Sequence, residues 1–225
     1  MIDLDAVTLA YGKRVILNDV TLTIRSGDFF FLTGPSGVGK STLLRLCAGM
    51  QRPSRGTVKV FGRDMLGLSS DAQANTRRRL GIIHQDAQFL DHLSLAENVI
   101  LPFTVRGPVS KEKREQRDDL LEWVALDHRR DALPPSLSGG ERQRAALARA
   151  LVSTPEVILA DEPTGNLDWD MSLRLLGLLI ELNKIGTPVV LATHDLALIR
   201  AAKSMVDARV LRLKDGQLSL AGAAL

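Results

Sequence analysis

Residues Gly34–Thr42 read GPSGVGKST, preceded by Asp28–Thr33 (DFFFLT), an apolar run of strand character, and followed by Leu43–Cys47 (LLRLC), an apolar run that opens a helix. The spacing G-x-x-x-x-G-K-[ST] between a strand and a helix is that of a phosphate-binding loop. Gly34, Gly37 and Gly39, with Pro35, Ser36 and Val38 between them, let successive backbone N–H groups turn inward and converge on phosphate oxygens. The start of the following helix adds its partial positive charge. At these positions Lys40 is expected to reach the β- and γ-phosphates of ATP. Ser41 is expected to ligate Mg²⁺, and Thr42 to add a hydroxyl near the α-phosphate.

The remaining bounds agree with a nucleotide-handling protein. A chain of 225 residues with a 45% hydrophobic fraction buries one substantial core, or a core plus a smaller lobe. Cys47 is the single cysteine, so no disulfide framework forms and a reducing cytosol is the expected compartment. In an apolar helical run it reads as packing. The N-terminus, MIDLDAVTLAYG, is acidic where a signal peptide is basic, and no stretch reaches membrane-spanning length, so the chain is not expected to cross a bilayer by itself. A net charge of +3 and 4% aromatic residues argue against nucleic acid as a partner. Arg77, Arg78 and Arg79, and the series Lys111, Lys113, Arg114 and Arg117, read as solvated helix faces.

Along the chain, strand patterns occupy Ile2–Val7, Val20–Ile24 and Phe29–Leu32, with Gly12, Asn18, Asp19, Ser26 and Gly27 as turns. Short strands are expected at Thr57–Phe61 and Leu80–His84. From Asp86 to Thr154 the texture becomes helical, as in Ser110–Leu126, and is interrupted by Pro102, Pro108, Pro134 and Pro135. This is read as a helical lobe inserted in an α/β core. Strands resume at Val157–Ala160 and Val189–Ala192 around a helix from Asp170 to Lys184. A helix over Leu196–Lys203 and a hairpin, Ala208–Leu213 and Gln217–Leu220, follow.

The other half of a nucleotide site is an acid at the end of a buried strand. Val157–Glu162, VILADE, supplies it: four apolar residues make a strand covered on both faces, and Asp161 emerges at its carboxyl end. There Asp161 is expected to hold Mg²⁺ through water. Glu162 follows, within reach of the γ-phosphate region, to orient or deprotonate an attacking water.

Leu137–Glu141, LSGGE, continues as RQR into an Ala- and Leu-rich helix about twenty residues before Asp161. With this segment the chain resembles the nucleotide-binding subunits of the ABC (ATP-binding cassette) family over essentially its whole length. Ser138, Gly139, Gly140 and Glu141 form a helix start with small residues, a second anion-binding surface in a chain with one phosphate loop. The resemblance implies that two copies pair head to tail, each signature segment capping the γ-phosphate of ATP held by the other. It implies a single ABC ATPase domain of α/β class over 1–225. A RecA-like core and an antiparallel β subdomain would occupy 1–85 and 155–225, and an α-helical subdomain 86–154.

The family's other positions also find matches. Tyr11 falls where an aromatic stacks on adenine, although an aromatic near a strand end is equally a packing residue. Gln85, in IIHQDA, matches the glutamine that touches Mg²⁺ and the attacking water. His84, where Phe is usual, reads as a packing variant. Leu167 and Asp168, in GNLD, match the loop that crosses the dimer interface, with Asp168 counted among the nucleotide-site residues. His194, in LATHD, matches the switch histidine on the γ-phosphate. The resemblance thus implies a catalytic set of Lys40, Gln85, Glu162 and His194, with ATP and Mg²⁺ as cofactors and Ser41, Gln85 and Asp161 as metal ligands.

The resemblance also implies a membrane partner whose cytoplasmic coupling helix docks beside the glutamine loop, roughly Asp86–Val99. Phe89, Leu90 and Leu93 are candidates for an apolar docking surface or for the core of the helical lobe. EPTGNLD (Glu162–Asp168) points to the branch that holds lipoprotein-release ATPases, MacB-type exporters and cell-division ATPases. Phe29–Leu46, Leu46–Val58 and Ala192–Ile199 look most like the cell-division members. These act at the cytoplasmic face of the bacterial inner membrane, with an integral membrane partner and division-ring proteins, and regulate periplasmic peptidoglycan hydrolases without moving a solute. Lipoprotein release or export is the alternative. A DNA-repair ATPase needs a coiled-coil insertion or tandem cassettes, neither of which this sequence has.

Overall fold

The computed structural model describes residues 1–104 and 107–221. Alternating hydrophobic residues build the first sheet: β1 (Ile2–Tyr11), β2 (Arg14–Ile24), β4 (Arg55–Val60) and the short β5 (Arg63–Asp64) pair antiparallel in the order β2-β1-β4-β5. Asn18 and Asp19, expected as turn residues, lie inside β2. The strand absorbs them as a bulge, with Asp19 at φ 53 and its N–H donated to Thr8 Oγ1 at 3.1 Å. A single left-handed Asp keeps the pairing going where a turn would have ended it.

Continuous apolar runs build the second sheet. β3 (Phe29–Thr33), β6 (Leu80–Ile83), β7 (Val157–Asp161) and β8 (Val189–Ala192) are parallel, with β9 (Ala208–Lys214) parallel to β3 and β10 (Gln217–Leu220) closing as a hairpin. The order is β10-β9-β3-β8-β7-β6. Side chains of successive strand residues point to opposite faces. Phe29, Phe31, Ile158, Ala160, Val189 and Leu191 thus enter one core, and Phe30, Leu32, Val157, Leu159, Val190 and Ala192 the other. Both faces must be covered, which is why these strands read as unbroken apolar runs.

The second core is completed by the antiparallel sheet and by α1 (Lys40–Cys47). The first is completed by α3 (Leu95–Thr104), α4 (Lys111–Trp123) and α5 (Gly139–Leu151), inserted between β6 and β7, and by α6 (Trp169–Lys184) and α7 (Leu196–Lys203). α3 runs through Pro102.

One helix, α2 (Ser70–Arg77), was not legible from its apolar pattern. It is held by Ser69 as N-cap, with Thr76 as its one buried residue. Its neighbourhood corrects the reading of Arg77–Arg79 as a solvated helix face. Arg77 donates to the Gly49 carbonyl at 3.0 Å, and Arg79 makes a bidentate pair with Glu156 at 2.6 and 2.7 Å while its guanidinium lies 3.6 Å over the Phe61 ring. The second basic series fits its expectation at Lys111, which is 91% exposed and paired with Glu115, but Arg117 is 12% exposed and bound to Asp118.

Candidate functional site

The loop between β3 and α1 is positioned from outside. A Cβ at Gly34 would collide with the Leu213 carbonyl oxygen on β9, and one at Gly39 would fall 2.8 Å from the Ile16 side chain on β2. Both glycines also hold positive φ, 151° and 116°, so side chains are excluded by contact and by backbone conformation alike. The two sheets therefore clamp the loop at both ends. Val38 is turned into the second core, unlike its neighbours.

A cleft of ≈ 620 Å³ opens at this loop. The loop contributes Gly34–Gly37 and Gly39–Thr42, β6 leads into Gln85, β7 ends in Asp161 and Glu162, and His194 follows β8. The carboxyl ends of parallel strands thus bring together residues far apart in sequence. Lys40 is buried, and its Nζ donates to the carbonyls of Gly34 at 2.9 Å and Pro35 at 3.3 Å. The same atom stands 3.8 Å from Glu162 Oε1, and Glu162 Oε2 lies 2.9 Å from His194 Nδ1.

Glu162 leaves the strand in a left-handed conformation, φ 48°, while its N–H still donates to the Ala192 carbonyl at 2.9 Å. For a non-glycine residue this costs about 1–3 kcal/mol, and such strain clusters at functional sites. The reversal sends the carboxylate into the cleft beside Lys40. His194 is 77% exposed, but its loop is fixed on both sides: Thr193 N–H donates to the Leu32 carbonyl at 3.1 Å, and Asp195 caps α7 through Ala197 and Leu198.

Ser41, Gln85 and Asp161 line the cleft with a hydroxyl, an amide and a carboxylate. Hard oxygen donors of this kind suit Mg²⁺, which takes one or two carboxylates with water and phosphate oxygens completing its shell. Gly165 and Asn166 also line the cleft. Sequence reasoning passed over both, although they sit inside the EPTGNLD stretch it used.

Several expected residues lie outside this cleft. Ser138 caps α5 in a reciprocal capping box with Glu141: Ser138 N–H donates to Glu141 Oε2 at 2.7 Å and Glu141 N–H to Ser138 Oγ at 3.3 Å. These bonds from Ser138 hold the Glu141 carboxyl below the ordinary glutamate value. A Cβ at Gly140 would come 3.0 Å from the Asn166 carbonyl oxygen, so the LSGGE segment abuts the loop that walls the cleft without entering it. Asp168 Oδ1 caps α6 by accepting from Met171 N–H at 2.8 Å, and Leu167 packs against the first core. Tyr11 ends β1 at 51% exposure, opposite Arg14.

One expectation for the neighbouring loop is corrected, and another is decided between its two alternatives. His84, read as a packing residue, instead lines a second, polar cavity with Arg45 and Arg149. Burial, chiefly, with help from Arg45 and Arg149 and opposed by Asp161, pushes its pKa below the ordinary histidine value. Of Phe89, Leu90 and Leu93, only Leu90 is exposed; Phe89 packs on the first core beneath the Arg149 guanidinium, 4.6 Å from its ring. Asn98, wholly buried and absent from the sequence reading, organises this loop. Its amide accepts from Leu90 N–H at 2.8 Å and donates to the carbonyls of Leu90, Leu93 and Ser94 at 3.0–3.1 Å.

Residues 17–165 match the family model described as ABC transporter, and the chain belongs to that family, as an ATP-binding subunit with the site of a P-loop ATPase. It is 42% identical over 219 residues to the cell division ATP-binding protein FtsE of Escherichia coli (strain K12), a match covering 97% of both chains. It is 40% identical over 205 residues to the methionine import ATP-binding protein MetN of Geobacillus kaustophilus, covering 89% of this chain and 60% of MetN. Its fold superposes on the ATP-binding cassette MJ0796, solved as a dimer in a post-hydrolysis state bound to ADP and Pi. There the TM-score is 0.88 and the identity 36%, with 97% of each chain covered.

Proposed function

We propose that the chain is the ATP-hydrolysing subunit of a cell-division complex with an integral membrane protein resembling FtsX. Two copies would close head to tail on two ATP molecules, and their opening would pass motion to the partner to regulate periplasmic peptidoglycan hydrolases. The observation that carries the chemistry is the convergence of Lys40, Glu162 and His194 in one cleft with the phosphate loop.

Lys40 would leave its loop carbonyls for the β- and γ-phosphates of ATP. Ser41, Gln85 and Asp161 would hold Mg²⁺, which when bound neutralises charge on the phosphate oxygens. Glu162 takes the attacking water as base or orienter, and His194, bonded to it, reaches the γ-phosphate. Tyr11 stacks on the adenine. The capped α5 start, placed outside its own chain's cleft, serves the cleft of the second copy, and Asp168 lies on the loop between them. That arrangement makes the monomer a poor hydrolase. Residues 86–154 act as the helical subdomain that carries the signature, and 1–85 with 155–225 as the core.

No helix of the described residues is long and apolar enough to cross a membrane. The motion is passed to a membrane partner. The docking site is proposed on the Asp86–Val99 segment, where Asn98 holds the Leu90, Leu93 and Ser94 backbone. The complex belongs at the cytoplasmic face of the inner membrane, with division-ring proteins as further contacts and no nucleic acid. The role in division draws on the FtsE match covering 97% of both chains. Transport is the second reading, favoured by the 40% identity to an import subunit.

The test is Glu162→Gln, trapped with MgATP in membranes, followed by identification of the integral membrane protein that co-purifies. A four-span FtsX-like protein is expected. A lipoprotein-release (LolD-type), MacB-type or importer permease would replace the biological role and leave the site chemistry standing.

A further inference from the structure

Away from the nucleotide cleft, the first core is left open between α4 and α6. There Leu120 and Trp123 of α4 stand with Leu178 and Leu182 of α6 around a groove of ≈ 500 Å³, all four half-buried at the margin of the core. Its floor is Leu151 and Pro155, both buried, and Ile185 forms a lip that is 80% exposed. Pro155 and Thr187 precede β7 and β8, so the groove lies at the amino ends of the strands whose carboxyl ends carry Asp161, Glu162 and His194. It shares no residue with the nucleotide cleft or with the Asp86–Val99 segment.

One edge of the groove is negative. Gln116, Leu120 and Trp123 recur at i, i+4 and i+7 and form the row of α4 that lines it; Glu115, Asp119 and Glu122 form the adjoining row, one residue back. All three acids are exposed. Glu115 pairs with Lys111 at 3.4 Å, whereas among the described residues Asp119 and Glu122 form no ion pair. The cations on the other side of the lining row are engaged: Arg117 is bound to Asp118, and Lys113 lies over the Phe103 ring. Asp119 is the one ionisable group among the described residues of the lining, in a chain whose net charge is +3.

That charge selects the occupant. An anionic lipid surface or a nucleic acid is repelled by the acidic edge, and a small apolar ligand leaves it unused. We propose that the groove docks a helical segment of another protein, with apolar residues laid between α4 and α6 and Lys or Arg along the edge that meets Asp119 and Glu122. Leu151 on the floor ends α5, the helix that begins at the LSGGE segment, so the occupant rests on the element that carries the signature.

The groove contains its own reporter. Trp123 lines it, and Trp169, at the start of α6, is the only other tryptophan, so the emission of a full-length Trp169→Phe chain reads the groove alone. The probes are two short tryptophan-free amphipathic peptides with the same Leu-bearing face, one edged with Lys and the other with Glu. The Lys-edged peptide is expected to shift Trp123 emission and saturate, and the Glu-edged peptide to leave it unchanged.

Asp119→Lys with Glu122→Lys places like charges together and is expected to weaken the Lys-edged peptide by about tenfold or more and to admit the Glu-edged one. Ile185→Ser, which removes the apolar lip without a charge, is expected to weaken it by a few-fold. These three side chains are exposed, so the melting temperature should stay near that of the parent, which separates lost docking from a lost fold. No shift with either peptide, equal binding of both, or an affinity that charge reversal leaves unchanged overturns the proposal. So does an emission that moves with protein concentration alone, because a second copy then fills the groove.

Discussion

Glu162 bridges two groups that come from opposite ends of the site: Oε2 is 2.9 Å from Nδ1 of His194, and Oε1 is 3.8 Å from Nζ of Lys40. The carboxylate is thus held between the lysine of the glycine-rich loop and the strand-end histidine, and its left-handed backbone is what puts it there. Replacing it with Gln keeps the shape and removes the carboxylate proposed as the base. Phosphate release is expected to fall by about 10²–10⁴-fold with MgATP binding retained and the dimer trapped, as read by a phosphate assay and size-exclusion chromatography. Parent-rate turnover by this variant would remove Glu162 from the mechanism.

Lys40→Ala should weaken MgATP binding by about 100-fold, the loss of charge-assisted bonds to two phosphates. Titration with a fluorescent nucleotide reads it. Because Lys40 contacts loop carbonyls and not the core, the melting temperature without nucleotide should stay near that of the parent. Retained tight binding would sink the phosphate-loop assignment.

Asn98→Ala strips the Leu90–Ser94 loop of its central hydrogen bonds and leaves backbone groups unpaired. A cost of about 2 kcal/mol is expected, which lowers the melting temperature by about 4–8 °C in a chain of this size. Scanning calorimetry measures it. MgATP binding should persist, since Asn98 does not line the cleft.

The Arg79 and Glu156 pair predicts a pH dependence with a definite sign. Arg79, through its hydrogen bonds and charge, holds the Glu156 carboxyl below the ordinary glutamate value. A depressed pKa contributes stability above the ordinary glutamate range, and that contribution is lost as pH falls through the depressed value. Glu156→Gln should therefore be less stable than the parent at neutral pH by no more than about 1 kcal/mol, because the pair is more than 40% exposed. The two proteins should converge in acid, as followed by urea melts across pH. A constant difference down to pH 2 would contradict the linkage.

Cys47 is buried, and burial pushes its thiol pKa up to about 12. It should remain unreactive to a disulfide reagent at pH 8 in the native protein and react fully in denaturant. Rapid labelling of the folded chain would show that α1 opens.

Much of this protein could be read from its residues because the determinants are local. GPSGVGKST carries within itself the glycines that let its amides turn inward, and VILADE carries the apolar run and the acids that follow it. LSGGE needs only Ser138 and Glu141, three residues apart, to close a capping box. Other features depend on partners distant in sequence. α2 has little apolar signal and stands on its cap, and the Asp19 bulge depends on pairing with Thr8. Arg79 clasps the entries of two neighbouring strands, because it precedes β6 and Glu156 precedes β7. The burial of Phe89, the four bonds of Asn98 and the meeting of Arg45 and Arg149 at one polar cavity arise only where α1, α3 and α5 converge on one loop. The sequence by itself determined the nucleotide chemistry, since that chemistry lies in contiguous motifs at strand ends. Tertiary structure alone decided the character of the surface beside Gln85, where docking is proposed, because burial and charge pairing depend on which side chains meet in space.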